Sequence, residues 1–124
     1  MARIHFIYST MNAGKSTALL QTNFAYLEKG MRTVLFTSEK DNRYGNSEIV
    51  SRIGLKSKAE TFKNSDNLFD CVSKAHTKNA IDCVMIDEAQ FLTKDQVHQL
   101  GRVVDELDVT VLAYGIRTDF RGEL

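Results

Sequence analysis

Lys15 and Ser16 follow a run of small residues, Ser9-Thr10-Met11-Asn12-Ala13-Gly14, and precede Thr17. An ammonium and a hydroxyl placed directly after a flexible glycine suit a phosphate chain. Before the run stands Arg3-Ile4-His5-Phe6-Ile7-Tyr8, which reads as a strand, and after it comes a helical pattern. Strand, small-residue loop, Gly-Lys-Ser and helix make the P-loop arrangement. Loop N–H groups and the helix N-terminus then converge on one point and favour an anion there. Gly14 lets the backbone approach a phosphate closely. Lys15 would reach the β- and γ-phosphates, and the Ser16 hydroxyl would ligate Mg²⁺. The usual pattern, G-x-x-x-x-G-K-[ST], is departed from once: Ser9 stands where the first glycine belongs.

Asp87-Glu88 closes the run Asp82-Cys83-Val84-Met85-Ile86. Apolar residues ending in paired acids have the form of a Walker B strand. Asp87 would hold Mg²⁺ opposite Ser16, which leaves Glu88 for another task. Phosphoryl transfer needs an acceptor hydroxyl placed in line and relieved of its proton. A carboxylate within hydrogen-bond reach does both, for roughly 10²–10⁴-fold in rate. Asp41-Asn42-Arg43-Tyr44 lies in a polar loop after the second predicted strand. Arg43 there suits either a transferring phosphoryl group or a plain solvated charge pair, and Asp41 is a further metal-shell candidate. Phe91 and Phe120 follow the third and fourth predicted strands; aromatic faces in such places stack on a base or pack the core. His5, His76 and His98 show no ligand spacing and read as structural or surface residues. Lys56/Lys58 and Arg117/Arg121 are too small as clusters to argue for nucleic-acid binding.

These residues need a scaffold that gathers them. The first predicted helix carries Leu20, Phe24 and Leu27 on one face and stops at Gly30. Thr33–Ser38 reads as the second strand, and residues 49–62 as a short hairpin around Gly54. Asn64–Asn67 offers caps for a helix with Leu68, Val72 and Ala75 inward. Thr93-Lys94-Asp95-Gln96 has the capping-box form, and its helix places Val97, Leu100, Val104 and Leu107 on one side. Val109–Tyr114 is a fourth strand. Alternating strands and helices predict an α/β fold with a mainly parallel sheet covered on both faces, a P-loop NTPase (RecA-like) core. Ligands bind such sheets at the carboxyl ends of the strands, where all the candidate residues fall.

The chain has 124 residues, 43% hydrophobic and 26% charged, enough for one domain with a core. Sixteen basic and sixteen acidic residues cancel, so no overall field draws it to nucleic acid or a membrane. No apolar run approaches a membrane span, and the N-terminus lacks a signal peptide's form. The two cysteines, Cys71 and Cys83, lack a C-x-x-C partner. A reduced, cytoplasmic setting follows, with both as small buried residues, although two cysteines can still pair.

The motifs Ser9–Thr17, Asp41–Tyr44, Asp87-Glu88-Ala89-Gln90-Phe91-Leu92 and Arg117-Thr118-Asp119-Phe120-Arg121 together resemble thymidine kinases of the cytosolic type that also occurs widely in bacteria. The resemblance covers the whole chain. In that family serine normally holds the first P-loop position. The resemblance implies transfer of the ATP γ-phosphate to the 5′-hydroxyl of thymidine, in salvage toward DNA precursors. It implies that Ser9, Thr10, Met11, Asn12, Ala13, Gly14, Lys15 and Ser16 cradle the phosphates, and that Glu88 accepts the proton. Asp87, Glu88, Ala89 and Gln90 would line the nucleotide and metal site. Met11, Phe91 and Phe120 match thymidine-pocket positions, with Ile116 near the base. Many relatives carry Cys or Gly where Ala89 stands. The family is usually tetrameric and is feedback-inhibited by thymidine triphosphate. It also continues into a small zinc domain with a loop that closes over the base. This chain ends at Leu124, and Cys71 and Cys83 do not match the zinc ligands. Zinc is therefore expected only in that further region, and residues 1–124 are expected to form the kinase core alone.

The first expectation is thus a thymidine kinase core, with Lys15, Glu88 and Arg43 at the reacting groups. The second is a module that holds ATP or thymidine triphosphate without transferring phosphate. A third, an ATP-driven motor, rests on the helicase-like form of Asp87-Glu88-Ala89-Gln90, and is disfavoured by chain length, neutral charge and the lack of further helicase motifs.

Overall fold

The computed structural model describes residues 2–9, 15–39, 48–51 and 53–116, with the backbone alone at Ser9 and Lys15. The described elements run β1 (Ile4–Ser9), α1 (Lys15–Glu28), β2 (Thr33–Ser38), β3 (Glu48–Val50), β4 (Lys56–Lys58), β5 (Glu60–Phe62), α2 (Leu68–Lys78), β6 (Cys83–Ile86), a 3₁₀ turn (Ala89–Phe91), α3 (Lys94–Leu107) and β7 (Thr110–Ile116). Five strands form one parallel sheet in the order β1-β7-β6-β2-β5, and β3 and β4 pair antiparallel beside it. The alternation of strands and helices forces this outcome, because parallel neighbours need long crossovers.

β6 is buried at every position, as a central strand covered on both faces must be. Its side chains alternate between two cores. Val84 and Ile86 join Phe36, Val111, Ala113 and the inner faces of α2 and α3. Cys83 and Met85 join Leu35, Tyr114 and the α1 residues Leu19 and Leu20 on the other side. The expected arrangement, a parallel sheet with helices on both faces, is therefore present.

Local signals explain the element ends. Asn67 caps α2 by accepting a hydrogen bond from the Asp70 N–H at 3.0 Å. Thr93 and Gln96 form the reciprocal capping box of α3. Gly30 ends the first helix at φ 79°, with its N–H donating to the Leu27 carbonyl. Gly54, at φ 91°, sits in the turn of the β3–β4 hairpin.

Four details differ from the sequence reading. The hairpin is followed at once by β5, which joins the main sheet beside β2. The buried face of α1 is Leu19, Leu20 and Asn23, while Leu27 is 48% exposed. Asn23 is tolerated inside because its side-chain oxygen accepts from the Thr33 hydroxyl. In α3 the buried line is Gln96, Leu100 and Val103. Gln96 donates to the Lys63 and Asp66 carbonyls at 2.8 and 3.1 Å, which satisfies the loop before α2. Finally, Cys71 is exposed, whereas Cys83 is buried, and burial pushes its thiol pKa up to about 11. Both are free thiols. Titration of the native chain with a chromogenic disulfide is expected to modify Cys71 alone, and Cys83 only after unfolding. Two fast equivalents would contradict the placement of Cys83 in the sheet.

Candidate active site

The parallel sheet brings the end of β6, the end of β1, the start of α1 and the end of β7 to one edge. The registers fix the neighbours: Phe36 beside Ile86, Ile86 beside Ala113, and Tyr8 beside Gly115. Asp87 follows β6 directly, and its N–H donates to the Phe36 carbonyl at 2.7 Å. That bond carries the sheet ladder one residue further and aims the carboxylate at α1. The Ser16 hydroxyl, in the first turn of α1, donates to Asp87 Oδ2 at 3.1 Å. The other oxygen, Oδ1, accepts from the Glu88 N–H at 3.0 Å. The Asp87 carboxylate thus ties the first turn of α1 to the next acid in the chain.

Asp87 and Glu88 are only 4% and 7% exposed. Buried carboxylates are costly without partners, so their hydrogen bonds define their orientation. Glu88 has left-handed backbone, φ 59° and ψ 42°. A non-glycine residue held there costs on the order of 1–3 kcal/mol and persists only where its surroundings dictate it. Here the chain turns sharply into the 3₁₀ turn, where the Phe91 N–H donates to the Glu88 carbonyl and the Leu92 N–H to the Ala89 carbonyl. The turn swings Glu88 away from the strand line that Asp87 continues. Two adjacent acids therefore acquire two different surroundings.

Ser16 Oγ and Asp87 Oδ2, 3.1 Å apart, are hard oxygen donors at one point. That donor set fits Mg²⁺, which takes one or two protein oxygens and completes its shell with water and phosphate. Among the described residues, no group of three or more His, Cys, Asp or Glu side chains could hold a metal ion.

Of the residues singled out in the sequence, Ser16, Asp87, Glu88, Ala89, Gln90 and Phe91 are gathered here. Ser9 and Lys15 mark the end of β1 and the start of α1. Thr10, Met11, Asn12, Ala13, Gly14, Asp41, Arg43 and Phe120 lie outside the described residues. Phe91 is half-buried beside the acid turn. Sequence reasoning missed Gly115 and Tyr8. A Cβ at Gly115 would stand 3.0 Å from Gln90 Oε1, 3.1 Å from the Gln90 nitrogen and 3.0 Å from Tyr8 Cε1. The fourth strand was read as ending at Tyr114, whereas β7 runs on to Ile116, so Gly115 went unread as a strand glycine of the kind that marks a close approach. Partial desolvation raises the Tyr8 phenol above its ordinary range.

Comparison with known proteins agrees with this arrangement. Residues 2–124 match the family model described as thymidine kinase. The thymidine kinase of Escherichia coli (strain K12) is 56% identical over 124 residues, which is 100% of this chain and 60% of that protein. Those of Photobacterium profundum and Shewanella oneidensis are 56% and 52% identical over the whole chain, and each is covered over 65% of its length. This chain therefore spans about three-fifths of the length of the relatives it matches. With a P-loop strand, a Ser16–Asp87 contact and a buried acid pair in one parallel sheet, and a family match over residues 2–124, the chain belongs to the thymidine kinase family.

Proposed function

We propose that this chain carries the phosphoryl-transfer core of a thymidine kinase. The acceptor 5′-oxygen attacks the γ-phosphorus of ATP, the bond from that phosphorus to the β,γ-bridging oxygen breaks, and the hydroxyl proton passes to Glu88. The observation that supports this most is the separation of the two acids: Asp87 is engaged with Ser16, while the left-handed turn gives Glu88 its own direction. Ser9 through Ser16 would cradle the phosphates, and Asp87 through Gln90 would line the nucleotide. Ser16 and Asp87 would hold Mg²⁺, which when bound neutralises phosphate charge. Lys15 and Arg43 would face the transferring group, and Met11, Phe91 and Phe120 the thymine. Thymidine triphosphate as inhibitor, a tetramer of complete chains and a cytoplasmic setting belong to the same reading. Among the described residues no helix is long and apolar enough to cross a membrane.

The test is ADP release from ATP and Mg²⁺, with and without thymidine, together with an ATP titration of Lys15→Ala. Thymidine-dependent release and at least about tenfold weaker ATP binding in the variant are expected. Equal ATP affinity in both proteins would remove the P-loop assignment. A second reading, a nucleotide-holding module without transfer, is separated from the first by the same assay. Saturable ATP binding without thymidine-dependent release would establish it.

A further inference from the structure

We propose that Gln90 is a positioning residue, which holds the Glu88 carboxylate in place by bracing it against the end of β7. This inference rests on the reading of Glu88 as proton acceptor and adds the part that aims it.

The amide of Gln90 is used at both ends. Its Nε2 donates to Glu88 Oε1 at 2.6 Å. Its Oε1 accepts the backbone N–H of Ile116 at 3.1 Å. One side chain therefore links the candidate base to the last residue of β7. The bond to Glu88 is short and charge-assisted, the stronger class of hydrogen bond. It fixes a carboxylate whose own backbone is in the left-handed region, where the local chain alone would not hold it.

The brace works only because β7 lets the 3₁₀ turn come close. Position 115 is glycine, and a Cβ there would press on Gln90 Oε1 and the Gln90 nitrogen while also meeting the Tyr8 ring. A methyl group at 115 would push the Gln90 amide outward without changing any functional group. Gly115 and Gln90 are thus two parts of one device. The N–H at 116 supplies the anchor, the missing side chain at 115 supplies the room, and the amide carries the position to Glu88. A side chain committed in this way aligns a general base before the acceptor arrives, and small misplacements of such a group cost large factors in rate.

Three variants test this: Gln90→Leu, Gln90→Glu and Gly115→Ala, with Glu88→Gln as reference. Thymidine-dependent ADP release and amide exchange at Ile116 are measured on each. Gln90→Leu is expected to speed Ile116 exchange and to lower kcat at least about tenfold, a larger factor than any rise in KM for ATP. Gln90→Glu keeps an acceptor for the Ile116 N–H but sets a second carboxylate against Glu88. It is expected to keep Ile116 protected and still lose kcat by about tenfold or more. Gly115→Ala is expected to follow Gln90→Leu in kcat with every catalytic group present. If turnover instead tracks Ile116 protection, so that Gln90→Glu is as active as wild type, Gln90 is only a structural tie and the proposal is overturned. A raised KM for ATP with unchanged kcat would make Gln90 a nucleotide ligand alone and overturn it as well. Full turnover in Glu88→Gln would sink the reading of Glu88 itself and the brace with it, as would a wild-type chain without thymidine-dependent release. Full turnover in the Gln90 variants, beside an inactive Glu88→Gln, would sink the brace alone.

Discussion

Glu88→Gln is expected to lower thymidine-dependent ADP release by at least about a hundredfold and to leave ATP affinity within about twofold. The substitution keeps the size of the side chain and an oxygen to accept from Gln90, and it removes the basic carboxylate. Glu88 is 7% exposed and carries an unusual backbone conformation, so a change of shape there would confuse folding with chemistry. Glutamine avoids this, and a melting temperature within a few degrees of wild type would confirm it. ATP affinity should survive because the groups assigned to the phosphates are on the P-loop and on Asp87, whose contact with Ser16 does not involve Glu88. Unchanged turnover would take Glu88 out of the proton-accepting role. A parallel loss of ATP affinity would place it among the nucleotide ligands instead.

The second large effect concerns stability. Phe62→Ala is expected to destabilise the fold by about 3–5 kcal/mol. Domains of this kind have about 5–15 kcal/mol in total, so the variant would be near the limit of folding at 37 °C. Phe62 is 1% exposed and packs in the cluster that holds Phe36, Leu68, Val72 and Ile86. It is also the last residue of β5, a three-residue strand that, among the described residues, pairs with β2 alone. So short a strand has few ladder bonds, and the buried ring is a main tie between it and the sheet. Thermal unfolding followed by circular dichroism checks the value, with a drop in midpoint of roughly 10 °C or more expected. A change below about 1 kcal/mol would mean that β5 is not locked to the core.

Phe62 also marks where the sequence stopped being legible. Residues 49–62 read as one hairpin, because alternation cannot tell an antiparallel pair from a pair followed by a strand that leaves for another sheet. Only the tertiary pairings show where the chain changes sheets: Lys58 pairs with Glu48 in the hairpin, and Glu60 pairs with Phe36 in the main sheet. The long elements were readable because their signals were redundant: Asn67, the Thr93–Gln96 box and Gly30 each end a helix where periodicity also ends it. The inward faces of α1 and α3 were read in part, since Leu20, Phe24, Leu100, Val104 and Leu107 do pack against the cores, and what was left out has one shared reason. A count of apolar residues passes over a buried amide, yet Asn23 and Gln96 are both 1% exposed and both satisfied by specific partners. At the site, Lys15, Ser16, Asp87 and Glu88 were visible as motifs. The division of tasks between the two acids was also read there, but not the left-handed backbone at Glu88 that turns them apart, which no residue type announces. Gly115 was visible as a letter and silent as a contact.

β1 brings a different consequence. It is the outermost strand of the sheet, and among the described residues it pairs with β7 alone. Phe6, Ile7 and Tyr8 are 38%, 42% and 38% exposed, and neighbouring residues in a strand point to opposite faces. The strand that leads into the phosphate loop is therefore also an adhesive margin, apolar on both sides and with one row of peptide groups turned outward. Such margins recruit other strands. Concentrated solutions of this chain should thicken into aggregates, the more so because its sixteen basic and sixteen acidic residues cancel and leave no net repulsion. Colloidal behaviour would then report how the margin of one strand is covered.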